Sequence, residues 1–209
     1  MLYLSKMKNI SINKEKYDKI IKKLQESSIG IAGLGGLGSN IAISLTRAGV
    51  GHLILIDYDK VEKSNINRQY YFLDQIGNFK TNALKKTIKK INPKMQVNTK
   101  NIKLKKGSMH SPFKNVDLII EALDDAQTKT DFIEEILLKL PKKPIIAASG
   151  VAGYGNSDRI STKKFSNLYV VYDKQAQPCE KDTIIAPRVA LIANWQANIA
   201  IEIILNGEK

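Results

Sequence analysis

The stretch SIGIAGLGGLGSN, residues 28 to 40, constrains this chain more than any other. A short apolar segment, Ser28 to Ala32, runs directly into Gly33-x-Gly35-Gly36-x-Gly38, and residues suited to a helix follow from Ser39 to Ala48, where Gly49 ends it. A strand, a glycine turn and a helix in this order predict a phosphate-binding unit. Glycines permit the tight turn and let backbone N–H groups approach phosphate oxygens, while the helix N-terminus adds partial positive charge. His52 to Ile56 reads as the next strand and closes on Asp57, where a carboxylate can accept hydrogen bonds from ribose hydroxyls. Two parallel strands need a crossover helix, so this is a βαβ unit. The turn by itself says nucleotide or dinucleotide and suits an NAD-dependent dehydrogenase equally well. A turn that merely packs a helix on a sheet is the bland alternative.

The downstream pattern continues the alternation. A helix is predicted over Lys80 to Ile91 with Pro93 enforcing its stop, then an exposed strand over Met95 to Ile102. Val116 to Leu123 reads as a buried strand ending at Asp124, followed by a helix from Gln127 to Leu140 and a buried strand from Pro144 to Ser149. Arg159 to Lys163 and Leu168 to Tyr172 read as late strands, and Lys174 to Thr183 as a loop. A terminal helix spans Pro187 to Leu205, with Pro187 near its start and Gly207 past its end. Upstream, Ile12, Tyr17, Ile20, Ile21 and Leu24 mark an amphipathic helix over 12 to 26. The expected class is α/β and Rossmann-like: a mostly parallel sheet with helices on both faces, mixed toward its C-terminal strands. The expected organisation is an N-terminal helical arm, residues 1–28, before a single nucleotide-binding domain, residues 29–209.

Composition narrows the partners. Lys and Arg number 33 against 20 acidic residues, a net charge of +13 that favours nucleotide phosphates, an acidic protein or a nucleic acid. The lysines are scattered over several segments, which suits an ordinary solvated surface equally well. Cys179 is the only cysteine, so an intrachain disulfide and a cysteine-built zinc site are both excluded. No apolar run approaches the roughly 20 residues of a membrane span. Met1 to Ile10 has no apolar core followed by a small-residue cleavage site. The expectation is a cytoplasmic protein without a membrane partner.

The segment after Asp57 separates adenylation from hydride transfer. Asp57-Tyr58-Asp59 leads into Val61-Glu62-x-Ser64-Asn65-Ile66-Asn67-Arg68-Gln69 and then Ile76-Gly77-x-x-Lys80. Hydride transfer has no use for Arg, Asn, Gln and Lys gathered beside a phosphate loop. Adenylation does, because a carboxylate attacking the α-phosphate while pyrophosphate leaves builds negative charge on both groups. Placed cations and Mg²⁺ stabilise such a transition state.

These runs resemble the ThiF/MoeB/HesA family, relatives of the ubiquitin-activating enzymes. The matches are GLGGLGSN, DYDxVExSNINRQ, IGNFK, EALDDAQTK, SGVAGYG and APRVALIANWQAN, in order from about residue 29 to 205. The SGVAGYG and APRV runs look most like the compact ThiF group that serves thiamine-thiazole synthesis. The resemblance implies ATP-dependent adenylation of the Gly-Gly carboxylate of a ThiS-like, ubiquitin-like sulfur carrier, by a protein acting as a homodimer. It implies that Gly33, Gly35, Gly36 and Gly38 cradle the phosphates and that Asp57 holds the ribose, with Asp59 in the same cofactor-binding set. Arg68 and Lys80 would contact the phosphate chain, Asn65 and Gln69 line the site, and Asp124 coordinate Mg²⁺. Position agrees on Asp124, just beyond a buried strand at the edge where parallel sheets bind ligands, with hard oxygen suited to Mg²⁺. Each residue has a plainer reading: Arg68 as a surface ion-pair partner, Lys80 as a solvated helix start, Asp124 as a helix cap, although Asp125 is better placed to cap. Lys129 stands where the family often has arginine.

The chain departs from the family in two respects. It lacks the two CxxC pairs that hold zinc in many relatives, so no zinc is expected. Residues 1–28 contain no arginine to supply from an N-terminal arm; Lys14, Lys16, Lys22 and Lys23 are there instead, and lysine offers no bidentate fork. Cys179 lies where some relatives place a cysteine that bonds to the carrier, with Lys181 nearby to favour a thiolate; a chance loop cysteine is the alternative. His52 and His110 show no metal or triad context, and Trp195 reads as packing. Other functions stand beside the first: activation of a carboxylate on a modified tRNA, and, outside adenylation, NAD-dependent oxidoreduction or a degenerate family member that only scaffolds a partner.

Overall fold

The computed structural model describes residues 14–175 and 183–207. Its frame is a seven-stranded sheet in the order β3-β2-β1-β4-β5-β7-β6. The strands are β1 (Ser28–Ala32), β2 (His52–Asp57), β3 (Gln96–Asn101), β4 (Leu118–Glu121), β5 (Ile145–Ser149), β6 (Ile160–Phe165) and β7 (Leu168–Asp173). All neighbours pair in parallel except β6 and β7, which form an antiparallel hairpin at one edge. The helices are α1 (Lys14–Gln25), α2 (Gly36–Ala48), α3 (Lys80–Ile91), α4 (Ala126–Lys139) and α5 (Ala186–Asn206). The expected α/β class, with helices on both faces and a mixed C-terminal edge, is what the chain adopts.

Strand alternation sorts the core onto two faces. Ile29 and Ile31 of β1, Leu53 and Leu55 of β2, and Leu118 and Ile120 of β4 meet Ile41 and Leu45 of α2, Leu84 and Ile88 of α3, and Ile192 and Ala200 of α5. Leu24 of α1 joins this same cluster, and Lys23 Nζ donates to the Leu205 carbonyl at 2.8 Å. On the other face Ala32, Ile56, Ile119 and Ile145 meet Phe132 and Ile136 of α4 and Phe113 of the segment before β4. Phe113 and Phe132 pack edge to face at 5.5 Å, an arrangement that adds about 1 kcal/mol to their burial.

Three expectations are corrected, two of them boundaries, each for an identifiable reason. The buried strand expected over Val116 to Leu123 contracts to Leu118–Glu121, because the Asp117 side chain pairs with Ser28 and the Leu123 N–H turns onto the Glu121 carboxylate at 2.7 Å. Helix α2 begins at Gly36 rather than Ser39, since the Ser39 N–H already bonds to the Gly35 carbonyl at 3.1 Å. The glycines therefore build the first helical turn. Helix α5 corrects the third expectation: by length and composition it is apolar enough to cross a membrane. Here it lies along α2 and the sheet, with Ile192, Ala193, Ala197 and Ala200 buried, as a core helix does. Cys179 and most of the loop expected over Lys174 to Thr183 lie outside the described residues.

Candidate nucleotide site

The sheet order reverses direction between β1 and β4. From β1 the chain builds outward through β2 and β3, then returns to lay β4 on the other side. The carboxyl ends of these two adjoining strands diverge there, and in open parallel sheets that crevice is where ligands bind.

At the end of β1 the glycine turn is shaped by close approach. Gly33 has φ +88°, and a Cβ there would fall 2.5 Å from the Ala122 carbonyl oxygen. A Cβ on Gly38 would sit 1.9 Å from the Gly33 carbonyl oxygen, backbone against backbone. By contrast, the space over Gly35 is open: a Cβ would meet only Gln69 Nε2, at 3.8 Å. No side chain caps the α2 N-terminus at Gly35, so first-turn N–H groups remain available to a bound anion.

Side chains clamp this turn from both directions. Asp57 Oδ2 accepts the Leu34 N–H at 2.6 Å, and Tyr71 Oη donates to the Leu34 carbonyl at 2.8 Å. Asp57 Oδ1 accepts the Asp59 N–H at 2.7 Å. Burial raises the Asp57 carboxyl above the usual range, opposed by the Asp59 amide, the Lys80 charge and the Leu34 amide. Burial, with Asp57 and Asp59 nearby, also holds the Tyr71 hydroxyl protonated. Asp57 thus has a structural task beyond the expected ribose contact. Ser39 Oγ donates to the Gly35 carbonyl at 2.6 Å and accepts the Tyr70 N–H at 2.9 Å, while Asn40 Nδ2 donates to the Gly36 and Arg68 carbonyls. These two side chains tie the 68–70 segment to the turn. Their signal was present in the Ser-Asn that follows the glycines, since such residues in a first helical turn bond locally.

The candidate cations are held differently. Lys80, at the start of α3, is 6% exposed, and its Nζ lies 2.8 Å from Asp59 Oδ2. A solvated helix start does not describe it. Arg68 donates through Nη1 to the Ser64 carbonyl at 3.0 Å and to Asn67 Oδ1 at 2.8 Å. A guanidinium has five donors, so most of its fork is uncommitted among the described residues. Asn65 is buried, and its Oδ1 accepts the Glu62 N–H at 2.9 Å, so it builds the turn that carries Arg68. Gln69 Oε1 is buried without a partner among the described residues, beside the open side of the glycine turn. A buried orphan acceptor next to an uncapped helix start fits a ligand carrying both hydroxyls and phosphates.

The end of β4 faces this turn across the crevice, with the Ala122 N–H bonded to the Ala32 carbonyl at 2.8 Å. Glu121 is fully buried; its Oε1 accepts the Leu123 N–H and its Oε2 lies 2.5 Å from Lys129 Nζ. Burial raises the Glu121 carboxyl above the usual range, and the Lys129 charge opposes it. Lys129 therefore props the turn below the site. Asp125 caps α4, accepting the Thr128 N–H at 2.7 Å, and its carboxyl is held low by Thr128. That leaves Asp124 exposed on the rim. Among the described residues no three His, Cys, Asp or Glu side chains cluster as a metal site. Asp124 could hold a hard cation only in company with ligand oxygens. His110 lies apart, its Nδ1 2.6 Å from Glu135, and the Trp195 ring N–H bonds to Thr162.

These elements define a nucleotide-binding α/β domain with a phosphate turn, a basic crossover segment and a carboxylate rim. The ThiF family profile matches residues 7–209, and the chain belongs to that family. Among its relatives, "adenylyltransferase and sulfurtransferase MOCS3" of Dictyostelium discoideum is 31% identical over 195 residues, 89% of this chain and 45% of that protein. "Ubiquitin-like modifier-activating enzyme 5" of Culex quinquefasciatus is 36% identical over 123 residues, 53% of this chain and 31% of that protein. The chain thus spans less than half the length of these curated relatives. The Escherichia coli tRNA N6-threonylcarbamoyladenosine dehydratase TcdA, solved with ATP, superposes with TM-score 0.83 at 20% identity, covering 92% of this chain and 91% of that one. E. coli MccB with ATP gives TM-score 0.71 at 23% identity, covering 91% and 59%. These two likenesses establish the fold.

Proposed function

We propose that this chain adenylates the C-terminal Gly-Gly carboxylate of a small ubiquitin-like sulfur carrier of the ThiS type, using ATP and Mg²⁺, in thiamine-thiazole synthesis. One observation carries the proposal: an open glycine turn, clamped by Asp57 at 2.6 Å, lies beside the turn that follows β4, where Ala122 approaches Gly33 and Asp124 is exposed. Membership of the ThiF family and relatives named as activating enzymes of ubiquitin-like proteins support it.

In this proposal the triphosphate lies on the α2 N-terminus and the ribose hydroxyls reach Asp57 and Gln69. A carrier carboxylate oxygen attacks the α-phosphorus. A new acyl–O–P bond forms, the bond from the α-phosphorus to the bridging oxygen breaks, and pyrophosphate leaves with that electron pair. Arg68 meets the growing charge on the leaving oxygens, and Lys80 does the same once its pairing with Asp59 is shared with phosphate. Asp124 would hold Mg²⁺, which commonly binds through one or two carboxylates and substrate phosphates and would neutralise the phosphate oxygens. Asp59 and Asn65 position Lys80 and Arg68 respectively.

The test is ATP–pyrophosphate exchange with purified Gly-Gly carriers. Exchange that depends on the carrier and on Mg²⁺ supports the proposal; tight NAD binding with no exchange against any carrier would end it. A second acceptor, a carboxylate on modified tRNA, is favoured by a different feature. A groove of about 480 Å³ beside the edge strand β3 is lined by Lys85, Lys100 and Lys114 together with Asn98, Ser111 and Asn115, and no acidic residue lines it among the described residues. Lysines with neutral donors suit phosphodiester contacts. Exchange stimulated by tRNA and not by carriers would select that acceptor.

A further inference from the structure

Arg188 lies in the first turn of α5, where the helix dipole disfavours a cation, and it is only 4% exposed. Its Nη2 pairs with Asp173 Oδ2 at the end of β7, and its Nη1 donates to the Gly155 carbonyl at 3.2 Å. Its Nε is buried without a partner among the described residues. Buried ion pairs seldom recover their desolvation cost, and well-packed apolar replacements are often as stable or more so. Stability alone therefore gives little reason for a buried guanidinium here.

Geometry gives a better one. The fork gathers three segments at the carboxyl edge of the sheet: the loop after β5, the end of β7 and the start of α5. Asp173 Oδ1 also accepts the Gln175 N–H at 2.8 Å, and the Gly153 N–H bonds to the Thr183 carbonyl at 2.8 Å, so the gathered segments are cross-tied. The next residue touches the phosphate turn itself: Val189 Cγ1 lies 3.0 Å from where a Cβ on Gly36 would stand. Whatever fixes the first turn of α5 therefore fixes one side of the glycine turn.

We propose that Arg188, through Asp173 and the Gly155 carbonyl, is a positioning residue: it holds the 150–155 loop and the start of α5 as one wall against the phosphate turn, and that wall guides the acyl acceptor's tail to the α-phosphorus. This rests on the adenylation proposal. The guiding segment is backbone-rich, with Gly150, Gly153 and Gly155 all at positive φ, so it needs an outside support to keep one shape.

The test uses the full chain and three measurements: carrier-dependent pyrophosphate exchange, ATP binding by calorimetry, and amide hydrogen exchange at Gly153. The double variant Arg188→Met with Asp173→Leu removes both charges together. It is expected to keep its melting temperature near wild type and to lose less in ATP affinity than in exchange. Exchange should fall about tenfold or more, through kcat and carrier KM, as small misplacements do. Gly153 should lose protection. Arg188→Lys should recover part of the rate, since lysine can meet Asp173 but cannot also fork to Gly155. Wild-type exchange in the double variant, or unchanged Gly153 protection, overturns the proposal. Should the double variant not fold, Arg188→Lys alone takes its place, since it loses the fork to the Gly155 carbonyl, and wild-type exchange there counts against the proposal equally. A wild-type protein with no exchange against any acceptor would instead sink the adenylation proposal, leaving Gly153 protection to judge Arg188.

Discussion

The ends of β1 and β4 lie side by side, yet they are built in opposite ways. At β1 the functional surface is backbone: glycines carry no side chain into the crevice, and Asp57, Tyr71, Ser39 and Asn40 hold the turn from outside. At β4 the surface is side chain: Glu121 and Lys129 form a buried prop, Asp125 takes the helix cap, and Asp124 is left over for the rim. The difference teaches where tolerance lies. A backbone site fails where an added atom meets backbone, as at Gly33 and Gly38, whereas a side-chain site fails when its one free group is removed.

The sharpest break should come at β1. Gly38→Ala puts a Cβ 1.9 Å from the Gly33 carbonyl, and neither partner is a flexible side chain. Carrier-dependent exchange should be lost and nucleotide binding weakened by a calorimetric titration, with a stability loss of about 1–3 kcal/mol from overpacking. Wild-type ATP affinity in this variant would mean the turn does not cradle phosphate.

Next in size, Asp124→Ala should abolish exchange while leaving the melting temperature unchanged, because the residue is exposed. Near-normal exchange would remove it from the metal role. Arg68→Ala should cost about 3 kcal/mol of transition-state stabilisation, on the order of a hundredfold in rate. A loss under about threefold, less than 1 kcal/mol, would argue that Arg68 does not touch the phosphates.

The smaller effects separate support from chemistry. Asp125→Ala should lower stability through the lost cap, read as a smaller urea midpoint, with exchange retained. The reverse pattern in Asp124 and Asp125 would exchange their roles. Glu121 gives a pH dependence. Its folded-state carboxyl is raised above the ordinary 4.5 by burial, so the folded state binds that proton more tightly than the unfolded chain. Its contribution is therefore fully present below that value and is lost as pH rises through the folded-state value. Glu121→Gln should remove this decline, making the stability difference between variant and wild type grow from pH 4 upward; a constant difference would show that the Lys129 pairing cancels the burial.

Much of the fold was legible before any coordinates because its signals are local. An apolar run closing on glycines, then a 3.6-residue pattern, specifies strand, turn and helix within about twenty residues. The parallel pairing follows from the crossover connections, and Pro93 bounds Lys80–Ile91 correctly. The misses were equally physical. The β4 boundaries shifted because Asp117 and Glu121 bond across the strand ends to Ser28 and Leu123, contacts that periodicity does not register. Among site residues, the glycines, Asp57 and Asp124 announced themselves by position. Tyr71 and Arg188 did not, because each acts through a backbone carbonyl on a segment distant in sequence, and Glu121 did not, because its pairing with Lys129 forms only when β4 and α4 pack. Ser39 and Asn40 signalled local bonding, not that they tie the 68–70 segment to the turn.

By itself the sequence determined the βαβ core, the phosphate turn and the set of charged residues available to a ligand, since all of these depend on spacing and residue type along the chain. Only the tertiary structure decided which carboxylate caps a helix and which stays on the rim, that Lys80 is buried against Asp59, and that Arg188 gathers the far loop against the glycine turn. Those outcomes depend on which polar groups meet once the core closes: a buried donor or acceptor must find its partner wherever the fold delivers one, and sequence distance places no limit on where that is.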